Sequence, residues 1–444
     1  MILTDIQQRQ TLTESQRDKL HEDLEKWDYY ENEVRDWLMP KTLPNGMVMN
    51  DNVKIALSRK IVNKGVNFLF GKPLTWQIVK DGQTDKGAST PTTEEIVLNQ
   101  IWGNQETQTA FLAENAINGG VVGTFHFQIV AQNTQQLKVK YLDPTWVFVD
   151  NDPTDVNTAI GYMLPYKVGD VLYRLRHEKA STNWVYLTER WALNKWVTVE
   201  GPTVWPYEWP FIISGKNLPK PNSFYGASDL EDADINDAIN LVASNVNRII
   251  RIYANPIVWG YGFGSNALNI DSSKVLTATD SEATLQALEL ARDLSSPQEH
   301  LKFLRSMYSE VTNVPESDPE RLKIGASSGF ALEVLFNDLL LKTGIKRAFY
   351  GKALIELNRR LLELSGFGND NNTLLHWANP LPTDKVSETT SDQFDLNAGL
   401  VSKRTLSTKR GYDYDQETEY QSKEQQNSTT LGENIVNAFR NGKA

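Results

Sequence analysis

The chain has 444 residues, 40% hydrophobic and 23% charged, which is enough to bury a large core and to fill several domains. It holds no cysteine, which excludes disulfides, thiolate metal sites and cysteine nucleophiles. A net charge of −11 argues against tight gripping of nucleic acid, and no apolar run reaches the length of a membrane span.

Residues 5–39 carry a charged helical pattern with Leu20, Leu24, Trp27, Val34 and Leu38 on one side. A second pattern runs from Asn52 to Phe70 and stops at Gly71 and Pro73. Thr92-Thr-Glu-Glu95 reads as a capping box for a helix through Trp102, and Ala110–Asn118 as a short helix broken by Gly119-Gly120. From Val121 the apolar period becomes two. Thr124–Val130, Leu137–Tyr141, Trp146–Val149, Ala159–Leu164, Val171–Arg176, Trp184–Trp191 and Lys195–Val199 read as short strands separated by turns. Ten of the twelve tryptophans stand at or before Trp209, so the first half reads as a compact mixed domain.

Ser228-Asp-Leu-Glu231 then forms a second capping box, followed by a heptad-like seam of Ile235, Ile239, Val242, Val246, Ile249 and Tyr253. Acidic residues crowd its amino end and Arg248 and Arg251 its carboxyl end, as the helix dipole favours. The spacing predicts a helix about 39 Å long, stopped by Asn255-Pro256. Pro256–Leu276 reads as strand and turn. Ser296-Pro-Gln-Glu299 opens a returning helix with Leu301, Leu304, Tyr308 and Val311 as its seam. Pro315–Ser328 is a polar loop, and Ser328–Leu364 reads as one long helix with a kink or close packing at Gly344 and Gly351. Thr373–Trp377 reads as a strand, and the last 60 or so residues as polar and helical in places.

Chemistry-bearing motifs are weak. Gly65–Lys72 superficially matches a phosphate loop, but one extra residue separates the glycines and Pro73 replaces the magnesium-binding hydroxyl. Gly260-x-Gly262-x-Gly264 lacks the helix and acid of a dinucleotide fold. Asp413–Glu424 imitates a calcium loop but has Thr418 where the turn needs glycine. The five histidines are isolated, and Asp150 and Asp152 flank a turn that needs carboxylates for its own hydrogen bonds. The expectation is a protein with no catalytic residue, no cofactor and no metal, not an enzyme.

The ordered set of elements resembles the portal proteins of tailed bacteriophages, in particular the SPP1-type portal family. The likeness is carried by Asn63–Pro73, Tyr141-Leu-Asp-Pro144, Asp150-Asn-Asp152, Pro210–Asn240 with Tyr225-Gly-x-Ser-Asp229, Ser328-Gly-x-Ala-Leu332, Asn379-x-x-Pro382 and Gly399-Leu-Val-Ser402. It implies an α+β chain with an elongated multi-domain portal fold. A mixed wing would occupy 1–225, stem helices 226–254 and 296–314, a small strand-containing clip 255–295 and a tunnel loop 315–327. The long helix with a wing return strand would occupy 328–382, and a helical crown with the tail 383–444.

The resemblance further implies a homo-oligomeric ring, usually of twelve subunits, at one capsid vertex. Such a ring conducts double-stranded DNA during packaging and ejection, and docks the terminase large subunit, capsid and scaffolding proteins and a head-completion adaptor. It implies a place in the virion, with assembly in the host cytoplasm and no membrane partner. Arg321 and Lys323 are the candidate DNA-tunnel contacts. Ile235, Ile239, Val242, Val246, Ile249, Tyr253, Leu301, Leu304 and Tyr308 are the candidate inter-subunit seam, because two helices cannot cover such a seam alone. The alternatives are another head-tail adaptor or scaffold-binding assembly protein and, from the tryptophans and scattered carboxylates, a carbohydrate-active enzyme.

Overall fold

The computed structural model describes residues 11–33, 41–42, 48–49, 52–80, 91–131, 136–254, 258–261, 282–287, 295–316, 329–381, 385–409, 414 and 417–423. Helix α1, Glu14–Glu31, is shorter than the pattern over 5–39 suggests, because Thr13 and Gln16 cap each other reciprocally and Asn32 closes the far end in the left-handed conformation. Strands β1, Lys41–Thr42, and β2, Val48–Met49, form a small hairpin.

Helix α2, Leu57–Phe70, begins five residues later than the sequence suggests. The amides of Val53 and Ile55 are taken by the side chains of Ser244 and Asn240, 2.9 and 2.8 Å away, which holds 52–56 out of the helix. Strand β3, Thr75–Lys80, has no clear signal in the sequence and exists because β14, Asn371–His376, pairs with it across the whole chain. Helix α3, Thr93–Trp102, carries the capping box expected of Thr92 and Glu95.

Helix α4 runs from Gln105 to Val122, straight through the Gly119-Gly120 pair that was expected to break it. These glycines mark close approach instead. A Cβ at Gly119 would strike the Tyr350 hydroxyl, and one at Gly120 would lie 2.9 Å from Val62.

Strands β4, Thr124–Ala131, and β5, Leu137–Leu142, join β11, Ile212–Lys216, in an antiparallel sheet of order β11-β4-β5. Strands β6, Phe148–Asn151, β7, Ala159–Val168, β8, Val171–Ala180, β9, Asn183–Ala192, and β10, Lys195–Trp205, form a five-stranded meander. β10 continues past the expected stop at Gly201-Pro202 by slipping register between Glu200 and Thr203. The pleat sends Met163 to a core with Leu20 and Phe148, and its neighbour Tyr162 to another with Trp184 and Ile212.

Helix α5, Asp234–Ala254, and helix α6, Ser295–Thr312, are the two helices expected to form the stem. Between them β12, Val258–Tyr261, pairs with β13, Thr284–Ala287. Helix α7, Gly329–Leu335, and helix α8, Asn337–Leu364, are separated at Phe336, whereas α8 is continuous through Gly344 and Gly351. At the break the Phe336 ring packs on Phe68, with centroids 5.4 Å apart, and the Lys64 ammonium lies over it. The far half of α8 enters the main core, where Tyr350, Leu354, Leu357 and Leu361 meet Val62, Phe70, Leu112 and Phe125. Helices α9, Lys385–Asn397, and α10, Lys403–Lys409, follow.

Candidate functional site

The approach to α5 departs from the expected helix start. Residues 229–233 form a turn, and α5 begins only at Asp234. The Ser228 amide does donate to Glu231, at 2.9 Å, as the capping box requires. The Ser228 hydroxyl instead donates to the carbonyls of Gly120 and Val121 and accepts from the Leu230 amide. Asp229 points inward and is buried.

That burial creates a charge cluster. The Asp229 carboxylate lies 2.5 Å from the Lys346 ammonium and 2.9 Å from that of Lys342. Lys342 also donates to the Thr312 carbonyl at 2.9 Å, so one side chain ties α8 to the end of α6 and to the turn before α5. Burial alone would raise the Asp229 carboxyl, but the two ammonium groups outweigh it and hold it below its ordinary value. Gly65 and Gly120 leave the room for this cluster: a Cβ on either would press within 3.3 Å of Lys346 or 3.1 Å of Asp229. Lys64 adds a second tie, donating to the Pro315 carbonyl at 2.7 Å.

The seam above the cluster divides in two. Ile239 and Tyr308 are buried within the single chain, packed with Ile61, Val314 and Leu339, and Ile235, Leu301 and Leu304 lie against them. Ile239 is 0% exposed, so it and Tyr308 belong to a private core rather than to an inter-subunit seam. Helix α2 and Leu339 of α8 cover them, which α5 and α6 alone could not do. Val242, Val246 and Ile249 stay partly exposed, and the Tyr253 side chain, Arg321 and Lys323 lie outside the described residues.

Val311, expected in the α6 seam, faces solvent; Thr312 takes the buried position. Phe303, Met307 and Val311, at spacing i, i+4 and i+8, form an exposed apolar stripe on α6, with Phe303 58% exposed. The stripe leads to Leu341 and Ile345, exposed on α8.

Asp152 and Asp155 accept hydrogen bonds from Thr154, Asn157 and Thr158 within their own turn. Among the described residues no group of three or more His, Asp or Glu side chains is placed to hold a metal. Gly65 lies within α2 and Gly71 caps it, so the phosphate-loop likeness ends there. His126 and His177 are buried, and burial lowers both to about 3. The first bonds Ser214 at 2.7 Å and the second stacks on Phe211, as core residues do. Among the described residues no helix is long and apolar enough to cross a membrane.

The Asp229 cluster is the feature that the residue-by-residue reading missed. A signal existed: Lys342 and Lys346 fall at core spacing between Leu339 and Tyr350, where a cation requires a buried acid. Asp229 itself read only as one of several dipole-favoured acids.

Among solved structures, the chain is similar to one described as the neck of an empty GTA particle computed with C6 symmetry. That match has 14% identity and a TM-score of 0.42, over 81% of this chain and 90% of the other. It is also similar to a chain of the virion of a native gene transfer agent particle. There identity is 12% and the TM-score 0.39, over 80% and 89% of the two chains. Both likenesses are loose. No curated protein matches the sequence. The family described as "Phage portal protein, SPP1 Gp6-like" matches residues 14–430. With nearly the whole described chain inside that match, the protein belongs to the SPP1 Gp6-like family of phage portal proteins.

Proposed function

We propose that this portal protein works as a closed homo-oligomeric ring at one capsid vertex, through which double-stranded DNA passes during packaging and ejection. The observation that carries the reading, beside family membership, is the apolar stripe of Phe303, Met307 and Val311 on a stem helix. A monomer gains nothing from exposing these side chains in a row, whereas a head-to-tail ring buries them against a neighbour.

The domain assignment follows the same reading: wing to about residue 225, stem in α5 and α6, clip around β12 and β13, and crown after about 383. The acidic balance of −11 per chain suits a conduit that repels phosphates and lets DNA slide. Arg321 and Lys323 are proposed as its transient cationic contacts. Terminase, capsid and scaffolding proteins and a head-completion adaptor are the proposed partners, the virion is the proposed location, and the role is structural rather than enzymatic.

Negative-stain microscopy of the purified chain tests this. Rings with a central channel support it. A sample that stays monomeric at micromolar concentration removes it and favours an adaptor role.

A further inference from the structure

Two unlike surfaces flank the stem. The first is a groove of about 450 Å³ beside the Asp229 cluster, with Val311, Leu341 and Ile345 as its apolar lining and Asp232 and Asp338 among the acids along it. Both acids are exposed, and so is Leu341, at 63%. The second surface lies on the segment preceding α2, where Ile55 is 36% exposed beside exposed Lys54. That segment is pinned to α5 through Asn240 and Ser244, and Leu241, 39% exposed, adjoins it. Arg248, one turn beyond Ser244, bonds Asn52 at the start of the same segment.

The two surfaces share no residue and lie on different sides of α5. Ile235 and Ile239 pack against residues of the helices that carry the groove. Asn240 and Ser244 point roughly 150° around the helix from them, at about 100° per residue. One surface is apolar and acidic, the other apolar and basic. Such a pair favours a head-to-tail contact over a symmetric one, because either surface repels a copy of itself.

We infer that the occupant of the acidic groove is a second copy of this chain. The neighbour's Lys54–Ile55 segment, with its Leu241, lies along Asp232, Asp338, Leu341 and Ile345. The inference rests on the ring reading and specifies its contact. Lys342 in the groove wall is spent on buried Asp229, so Lys54 of the partner subunit supplies the cation that faces Asp232 and Asp338, and the apolar residues on each side are covered by the contact. The groove adjoins the Lys342–Asp229 tie, so an occupied groove braces the same junction that joins wing and stem.

Charge reversal tests this on the full chain. In Asp232→Lys with Asp338→Lys, both exposed positions, the ring fraction counted by native mass spectrometry should fall at least about tenfold. The melting temperature of the dispersed subunits should fall by only a few degrees, about the cost of a cation at each helix amino end, so the loss of rings is not a loss of fold. Adding Lys54→Glu should restore rings, since the reversed groove then meets a reversed segment. Rings at wild-type yield from the doubly reversed groove, or no recovery on adding Lys54→Glu, would overturn the assigned contact while leaving the ring reading intact. A wild-type chain that forms no ring would instead remove the reading on which the contact rests.

Discussion

Asp229 and Lys346 stand 2.5 Å apart although 117 residues separate them, and Lys342 completes the group from one helical turn away. Asp229→Asn leaves two ammonium groups in a buried site with no carboxylate. The expected loss is about 3–5 kcal/mol in urea unfolding. Asp229→Asn with Lys346→Met should cost less than the sum of the single changes. Because the folded carboxyl sits below its unfolded value, this contribution is complete above about pH 4 and fades as acid titrates it. Equal stability of the wild type and Asp229→Asn at pH 7 would contradict the cluster's role.

Gly119 and Tyr350 make a second testable pair. Gly119→Ala should cost about 1–3 kcal/mol, since the new methyl meets the Tyr350 hydroxyl. Among the described residues that hydroxyl has no hydrogen-bond partner, so Tyr350→Phe alone should be neutral or stabilising. The double variant should recover most of the loss. A full penalty in the double variant would mean that the backbone, not the hydroxyl, sets the limit.

The buried histidines set a pH response in the strand-rich half. His126 and His177 have folded values of about 3, below the ordinary 6.5, so the unfolded chain binds protons that the folded chain refuses. Their contribution is therefore whole above about pH 6.5 and shrinks on acidification, by about 2 kcal/mol each at pH 5. His177→Phe, which keeps a ring stacked on Phe211, should flatten the fall in melting temperature between pH 7 and 5. An unchanged slope would show that His177 is not its source.

Ile239 and Phe303 separate private core from shared surface. Ile239→Ala should cost about 2–5 kcal/mol in the isolated chain, because the side chain is covered by its own neighbours. Phe303→Asp with Met307→Asp should leave the chain's melting temperature nearly unchanged and abolish assembly. If the aspartates unfold the chain, or if rings persist, the stripe is not an interface.

Local signals explain what the sequence revealed. Caps at Thr92 and Glu95, a heptad seam after Ile235 and period-two runs after Val121 all depend on neighbours within a few residues. Features set by distant partners were hidden. Gly119-Gly120 looks like a breaker until Tyr350 and Val62 come close, and β3 needs β14 from nearly 300 residues away. The seam spacing of Ile239 was legible, but a heptad cannot say whether its cover comes from α2 of the same chain or from a neighbour. Lys342 and Lys346 announced a buried acid without naming Asp229.

The central claim is that the chain assembles into a ring through exposed stem surfaces, and the mass of the native assembly tests it most directly. Native mass spectrometry of the untagged protein at micromolar concentration should give a single closed multiple of the 50.3 kDa chain. Phe303→Asp with Met307→Asp should return that signal to one chain. A wild-type protein found only at the mass of one chain would contradict the account.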